Sequence, residues 1–428
     1  MPGSPSGAPC NVTASLAQIA AWGLVAMGTA GVILRPFGWP EYIWAVVSAA
    51  LLVILQLLSW HDALAAVAKG IDVYLFLIGM MLLAEIARQE GLFDWLAAHA
   101  VGYARNSARR LFFIVYIVGT VVTVFLSNDA TAVVLTPAVY AATRAAKVEP
   151  LPYLYICAFI ANAASFVLPI SNPANIVVYG DKLPPLMAWL RLFALPSLAA
   201  IVATYVALRF TQRSALNVVV ASPEESLPLS LGGKLAASGI CLAATGLIVA
   251  SSFGRDLGLP TFVAGVATAG VVLAATRTSP LPVIRGVSWS VLPLVAGLFV
   301  LVEALNKTGL LPALASALER LAQSSPGGAA WMSGLSFAVA SNLANNLPIG
   351  LIAATVNHGV QLPETVTAAI LIGVDLGPNL SVTGSLATIL WLIALRREGE
   401  LVSALQFLKV GAIVMPPALI LALATLIW

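Results

Sequence analysis

The sequence predicts an all-α integral membrane protein with about ten transmembrane helices and two re-entrant hairpins, arranged as two inverted-topology repeats with discontinuous helices. Three observations carry this. Of 428 residues 60% are hydrophobic and only 9% charged, with a mean hydropathy of +0.97. A soluble domain would need roughly 25% charged residues to face water. The apolar stretches recur at membrane-spanning length, about 20 residues each. Four of them are interrupted at mid-length by Asn, Ser, Gly and Pro, which lipid does not tolerate unless protein or a water-filled cavity surrounds the break.

Residues 1–13 form a tail without a basic segment, so the first apolar stretch reads as an uncleaved span. Residues 14–34, 42–58 and 73–87 are ordinary spans. The segment 91–104 is amphipathic, with Leu92, Trp95, Leu96 and Ala100 on one face. The stretch 111–146 is long enough to cross twice but holds Ser127-Asn128-Asp129 at its middle. Arg105, Arg109 and Arg110 stand before it and Arg144 and Lys147 after it. Basic flanks are retained on the cytoplasmic side, so this is a hairpin that enters and leaves there. The next stretch, 151–179, is broken by Pro169 and Pro173 and their polar neighbours, giving two half-helices joined by unwound backbone. Residues 192–209 cross back, and Arg209, Arg213 and Lys234 place the linker 211–233 in the cytoplasm.

The second half repeats this order. Spans fall at 235–253, 262–275 and 289–304, and a hairpin at 331–356 is tipped by Asn345-Asn346-Leu347-Pro348. The stretch 365–395 is broken at Gly377-Pro378-Asn379 and Gly384-Ser385, and 407–427 is the last span. Residues 79–92 align with 297–310, placing Gly79 on Gly297, Glu85 on Glu303 and Gly91 on Gly309 at an offset of 303 − 85 = 218. Asn128 aligns with Asn345 at 345 − 128 = 217. The repeats are therefore 14–210 and 234–428, each with five spans and one hairpin. An odd number of spans inserts the halves with opposite topology, and broken helices meeting at mid-membrane are the pattern of a transporter.

The breaks gather nearly all the intramembrane polar residues. The candidate substrate-binding set is Asn128, Asn162, Ser171, Asn172, Asn175, Asn345, Asn346, Ser385 and Thr388, with Asn379 and Thr383 nearby. No Arg or Lys lies near a break. Neutral amides, hydroxyls and half-helix ends suit a small, uncharged, hydroxyl-rich solute. Asp129 and Asp375 are the acids at the breaks. An ionisable group at bilayer depth is costly and marks function by default, so both are candidate proton-coupling residues, although capping a half-helix is also a common task for Asp. Glu85 and Glu303 are followed by Arg88 and Lys307 at helix-neighbour spacing and read as structural ion pairs. Cys10, Cys157 and Cys241 have no paired spacing, and His61, His99 and His358 fall outside the spans. Neither a metal site, a cofactor nor a nucleic-acid partner is implied.

The stretches Ser127–Pro137, Phe159–Val177, Asn345–Pro348 and Val374–Trp391 resemble the ArsB arsenite efflux family of the ion-transporter superfamily, which also holds sodium/proton antiporters and dicarboxylate transporters. The resemblance extends over nearly the whole chain. It implies no enzyme activity. It implies a multi-pass protein of a bacterial or archaeal inner membrane that exports arsenite and antimonite, driven by protons or by an added soluble ATPase subunit. By match to the family motifs, Asn128, Asp129, Asn172, Asn345, Asp375 and Ser385 take binding and coupling positions. The family commonly carries an acid where this chain has Asn162. Taken as the repeat partner of Asp375 (375 − 162 = 213), Asn162 leaves one of two paired acids neutral, which shifts coupling toward Asp129 and Asp375. Arsenite, mostly an uncharged trihydroxide near neutral pH, fits such a site. The alternative is a sodium/proton antiporter of the same superfamily. An aspartyl protease and a passive channel account for the repeat less well.

Overall fold

The computed structural model describes residues 10–221 and 228–428. Most of the tail and the centre of the linker lie outside the described residues. The first half folds as α1 (Cys10–Leu34), α2 (Glu41–Ile54), α3 (Trp60–Lys69), α4 (Ile71–Gln89), α5 (Leu92–Tyr103), α6 (Ala108–Phe125), α7 (Asn128–Ala130), α8 (Thr136–Ala145), α9 (Leu151–Ala163), α10 (Pro173–Tyr179) and α11 (Leu186–Thr211). The second half folds as α12 (Leu231–Ser252), α13 (Gly258–Thr276), α14 (Leu281–Gly286), α15 (Val291–Lys307), α16 (Leu310–Ser324), α17 (Pro326–Ala344), α18 (Asn346–Gly359), α19 (Glu364–Leu376), α20 (Leu386–Arg397) and α21 (Ala404–Ile427). The described residues contain no strand beyond one isolated bridge, Ser107 to Val219.

Among the described residues seven helices are long and apolar enough to cross a membrane, or eight if α3 and α4, bent by 45° at Gly70, count as one span. The sequence reading expects about ten. The difference lies in the broken elements and in α2, whose 14 residues fall short of a span. α9 has 13 residues and α10 has 7, so neither covers a bilayer core of about 30 Å at roughly 1.5 Å per residue. α19 and α20, with 13 and 12 residues, divide a second crossing in the same way. Conversely α6, expected as a hairpin arm, has 18 residues and is itself of spanning length.

Helix ends follow local chemistry. Ser59, Ser107, Ser230, Ser325 and Ser403 cap α3, α6, α12, α17 and α21 through their hydroxyls, satisfying N–H groups that no helix turn can reach. Gly91 and Gly309, aligned in the sequence, both adopt a left-handed backbone (φ 73° and 81°). Each lets a span turn into a shorter helix, α4 into α5 and α15 into α16, at a torsion that strains other residues.

Packing pairs elements from opposite halves. α4 lies against α13 and α2 against α15, while α11 packs along α21. At the first crossing a side chain on Gly79 would overlap the backbone of Thr261, and one on Gly265 the backbone of Gly79. Gly297 meets Ala45 as closely at the second. Without a hydrophobic force between helices in lipid, such close backbone approach is what holds them. α9, α10 and α19 are buried on every side and form the centre, whereas α1, α11, α12 and α13 present exposed apolar faces such as Val202, Leu242 and Val263.

The start of the linker is stitched to both bases of the α6–α8 segment. Val220 N–H donates to Asn106 O at 3.1 Å and Ala221 N–H to Ala146 O at 3.0 Å. Arg105, Arg109, Arg144 and Lys147 therefore share one end of the molecule with the linker. Glu85 pairs with Arg88 as expected, through Oε2 at 2.8 Å and Oε1 at 2.6 Å. Glu303 does not pair with Lys307. It accepts from Lys69 at 3.1 Å, while Lys307 reaches Asp62 at 3.0 Å. The reason is tertiary: α3 lies across α15 and offers its two charges to the same helix face.

Candidate functional site

The four breaks converge. Asn128 opens α7, Asn346 opens α18, and α10 and α20 start just after Asn172 and Ser385. The first residues of these four elements, Asn128 and Asp129, Pro173, Asn346 and Leu347, Leu386 and Ala387, line one narrow cavity of about 10 Å³ together with Asn172, Leu77 and Val291. The first turn of a helix leaves N–H groups without intrahelical partners and carries the positive end of its dipole. The cavity thus offers oriented donors without a formal positive charge, and no Arg or Lys is on its wall.

Asp129 is the cavity's one carboxylate. It is half-buried, and among the described residues its side chain has no hydrogen-bond partner; only its N–H is held, by Asn128 Oδ1 at 2.9 Å. It also lines a larger vestibule of about 60 Å³ with Met80, Ala84, Glu85, Ser127, Gly286 and Ser288. Asp129 therefore stands where vestibule and cavity meet.

Asp375 lies elsewhere. It is fully buried in α19, and its oxygens accept from Ser165 Oγ at 2.6 Å and Asn172 Nδ2 at 2.9 Å. It is not on the cavity wall. Asn172 joins the two environments, since its Oδ1 caps α10 at Ala174 N–H, 3.0 Å away.

The candidate amides and hydroxyls divide into two groups. Asn128, Asn172 and Asn346 face the cavity, and Asn346 Oδ1 is buried without a partner while its N–H donates to Gly384 O at 2.8 Å. Asn162, Ser171, Asn175, Asn345, Ser385 and Thr388 do not line it; all but Asn162, whose amide bonds the Asn379 side chain, tie the broken backbone. Asn175 Nδ2 reaches the carbonyls of Ser165, Leu168 and Pro169 at 2.8–3.3 Å. Ser171 Oγ donates to Val124 O at 2.9 Å, binding the first break to α6. Asn345 Nδ2 donates to Thr383 O at 3.1 Å while its backbone sits at φ 71°, a torsion that costs a non-glycine residue about 1–3 kcal/mol unless the surroundings enforce it. Ser385 caps α20 at Thr388 N–H and bonds the Thr388 hydroxyl at 2.9 Å. These residues complete the hydrogen bonding that unwound backbone requires.

The offset of 217 that aligns Asn128 with Asn345 pairs Asn162 with Asn379, and these two amides hydrogen-bond each other at 2.9 Å. Asn379 Nδ2 in turn donates to Phe159 O at 3.0 Å. Sequence reasoning missed Asn342, whose Nδ2 bridges Ala338 O and Gly377 O at 2.8 and 2.7 Å and whose Oδ1 accepts from Ser381. The polar run Ser341-Asn342 just ahead of the break was its signal. The roles of Ser165 as a partner of Asp375 and of the apolar wall had no sequence signal.

The profile of the citrate transporter family, CitMHS, matches residues 24–374. The arsenical pump membrane protein of Escherichia coli K12 is 29% identical over 367 residues, covering 82% of this chain and 84% of that protein. A putative arsenical pump membrane protein of Bacillus subtilis is 25% identical over 424 residues, 92% and 95% of the two chains. An uncharacterized transporter of Mycobacterium tuberculosis is 25% identical over 398 residues, 90% and 92%. Among solved structures, the YdaH transporter of Alcanivorax borkumensis superposes with a TM-score of 0.54 at 18% identity, over 85% and 86% of the chains, a likeness of fold.

Proposed function

The chain belongs to the citrate transporter family, CitMHS, and within it we propose that this bacterial inner-membrane transporter exports arsenite, and antimonite, as the neutral trihydroxide in exchange for protons by alternating access. One observation carries the reading: the cavity at the four breaks is walled by the amides Asn128, Asn172 and Asn346 and the carboxylate Asp129, with no cation. A citrate, with its several negative charges, calls for Arg or Lys, and Asp129 would repel it. A pyramidal trihydroxide both donates and accepts, so amide oxygens, amide nitrogens and helix N–H groups all suit it. The names of the E. coli and B. subtilis relatives support the same substrate class.

Of the two acids, Asp129 is the proton carrier in this scheme. It alone is reachable from the vestibule, and a carrier must meet water on one side and substrate on the other. Asp375 orients Asn172. The vestibule passes Glu85 and Gly286, beside Arg88 and Arg285, and basic residues mark the cytoplasmic side. The site as seen is then open inward, ready to load. The two halves, 14–210 and 234–428, are read as inverted repeats that rock about the cavity. The exchanged pairs α4–α13 and α2–α15 and the Asn162–Asn379 contact support this. Replacing Asp129 by Asn and measuring arsenite uptake into everted vesicles under a proton gradient tests the assignment. Uptake at the wild-type level would refute it. Proton flux driven by sodium, with no arsenite transport in the wild type, would establish the antiporter alternative instead.

A further inference from the structure

Away from the transport path, the linker end of α11 holds three arginines around one pocket: Arg109 from the start of α6, and Arg209 and Arg213. None is within ion-pair distance of an acid among the described residues. Each is positioned by neutral groups. Arg109 donates to Asn217 Oδ1 at 2.5 Å. Arg209 donates to the Tyr205 hydroxyl at 3.3 Å and lies 6.0 Å from its ring centroid. Arg213 sits 4.7 Å over Phe210. Among the described residues no acid pairs with these three exposed guanidinium groups, and a phosphate offers them bidentate hydrogen bonds.

This pocket does not end at the arginines. Val206 and Phe210 form part of its wall and also part of an apolar groove between α11 and α21, continued by Leu195, Leu198, Val202 and Leu421. From Leu195 to Phe210 the groove follows α11 for about 22 Å at roughly 1.5 Å per residue, longer than the ~15 Å depth of one leaflet's hydrocarbon. A basic pocket at the cytoplasmic end of a helix seam, leading directly into an apolar channel of that length, matches both ends of a lipid.

We propose that Arg109, Arg209 and Arg213 bind the headgroup phosphate of an anionic phospholipid, with an acyl chain lying in the α11–α21 groove. A free phosphate explains the arginines but leaves the groove unused. A zwitterionic lipid fills the groove but brings no net charge to three cations.

Native mass spectrometry of the purified full-length protein, released from detergent after equilibration with equal phosphatidylglycerol and phosphatidylcholine, tests this. The wild type is expected to retain phosphatidylglycerol preferentially. The double variant R209Q/R213Q should retain roughly 25-fold less, because each basic group near a headgroup contributes about a factor of five. Ala199→Trp, which fills the groove and leaves every charge in place, should also lose it, while Arg255→Gln at the far end of α12 should not. Thermal unfolding confirms that each variant is folded, and if the double variant is not, Arg109→Gln and Ala199→Trp make the same comparison. Unchanged phosphatidylglycerol retention in these variants would overturn the proposal. So would loss in the arginine variants alone, with inorganic phosphate displacing whatever is bound, since that describes a soluble-anion site.

Discussion

Asn172 donates its side-chain amide to Asp375 at 2.9 Å across 203 residues of sequence, while its oxygen caps the helix that opens onto the cavity. A buried acid in the second half therefore sets the orientation of a cavity-lining amide in the first. The two acids at the breaks are unlike in consequence: Asp375 is enclosed and hydrogen-bonded, Asp129 half-buried with its carboxylate unpartnered. The predictions below separate these roles.

Asp129→Asn should reduce gradient-driven arsenite uptake to the level of vesicles lacking the protein, while Asp129→Glu should keep part of it. Facilitated exchange of arsenite at equal concentrations on both sides should survive in Asp129→Asn, because the amide preserves the shape of the cavity. A tracer-exchange assay beside the uptake assay checks both statements.

Asp375→Ala removes the acceptor of two buried hydrogen bonds and should cost roughly 2–5 kcal/mol of stability, read as a fall in the unfolding midpoint in detergent. Asp375→Asn can still accept from Asn172 and can donate to Ser165. It should fold and keep proton coupling, with a raised KM for arsenite and little change in the accumulation ratio.

Much of this was legible beforehand. Pro378 follows the end of α19 and Pro173 opens α10, positions that the fixed φ and missing N–H of proline favour, so the breaks could be placed from sequence. Gly91 and Gly309, aligned in the sequence, both adopt the left-handed backbone that ends a span. What could not be read is which way each amide faces. Asn172 and Asn175 stand three residues apart in one motif, yet the first reaches Asp375 and the cavity and the second three backbone carbonyls. Asn has both donor and acceptor atoms for either task, and for Asn172 the outcome depends on a side chain 203 residues away. The same holds for Glu303, whose helix neighbour Lys307 was drawn off by Asp62.

Asn162→Asp, which places an acid where the ArsB resemblance implies one, should not add a second coupled proton. The position abuts Asn379 in the packed interior and is not on the cavity wall. The variant should be less stable and transport with the wild-type dependence on the gradient, measured as accumulation against imposed pH difference.

Gly79→Val should be poorly folded, because its side chain would meet the Thr261 carbonyl at the α4–α13 crossing. Gly79→Ala is the milder test, with an expected loss of about 1–3 kcal/mol by thermal unfolding. Gly102→Ala, within α5 where nothing lies close, is the control and should leave the midpoint unchanged or raise it slightly, since Ala favours a helix over Gly.

The central claim is proton-coupled export of a neutral arsenical. Its most direct test is arsenite uptake into everted vesicles without ATP, with a proton gradient and then with a protonophore added. The account predicts accumulation that collapses with the protonophore. Uptake that persists after the gradient is dissipated, or that appears only with ATP and a soluble ATPase, would contradict it.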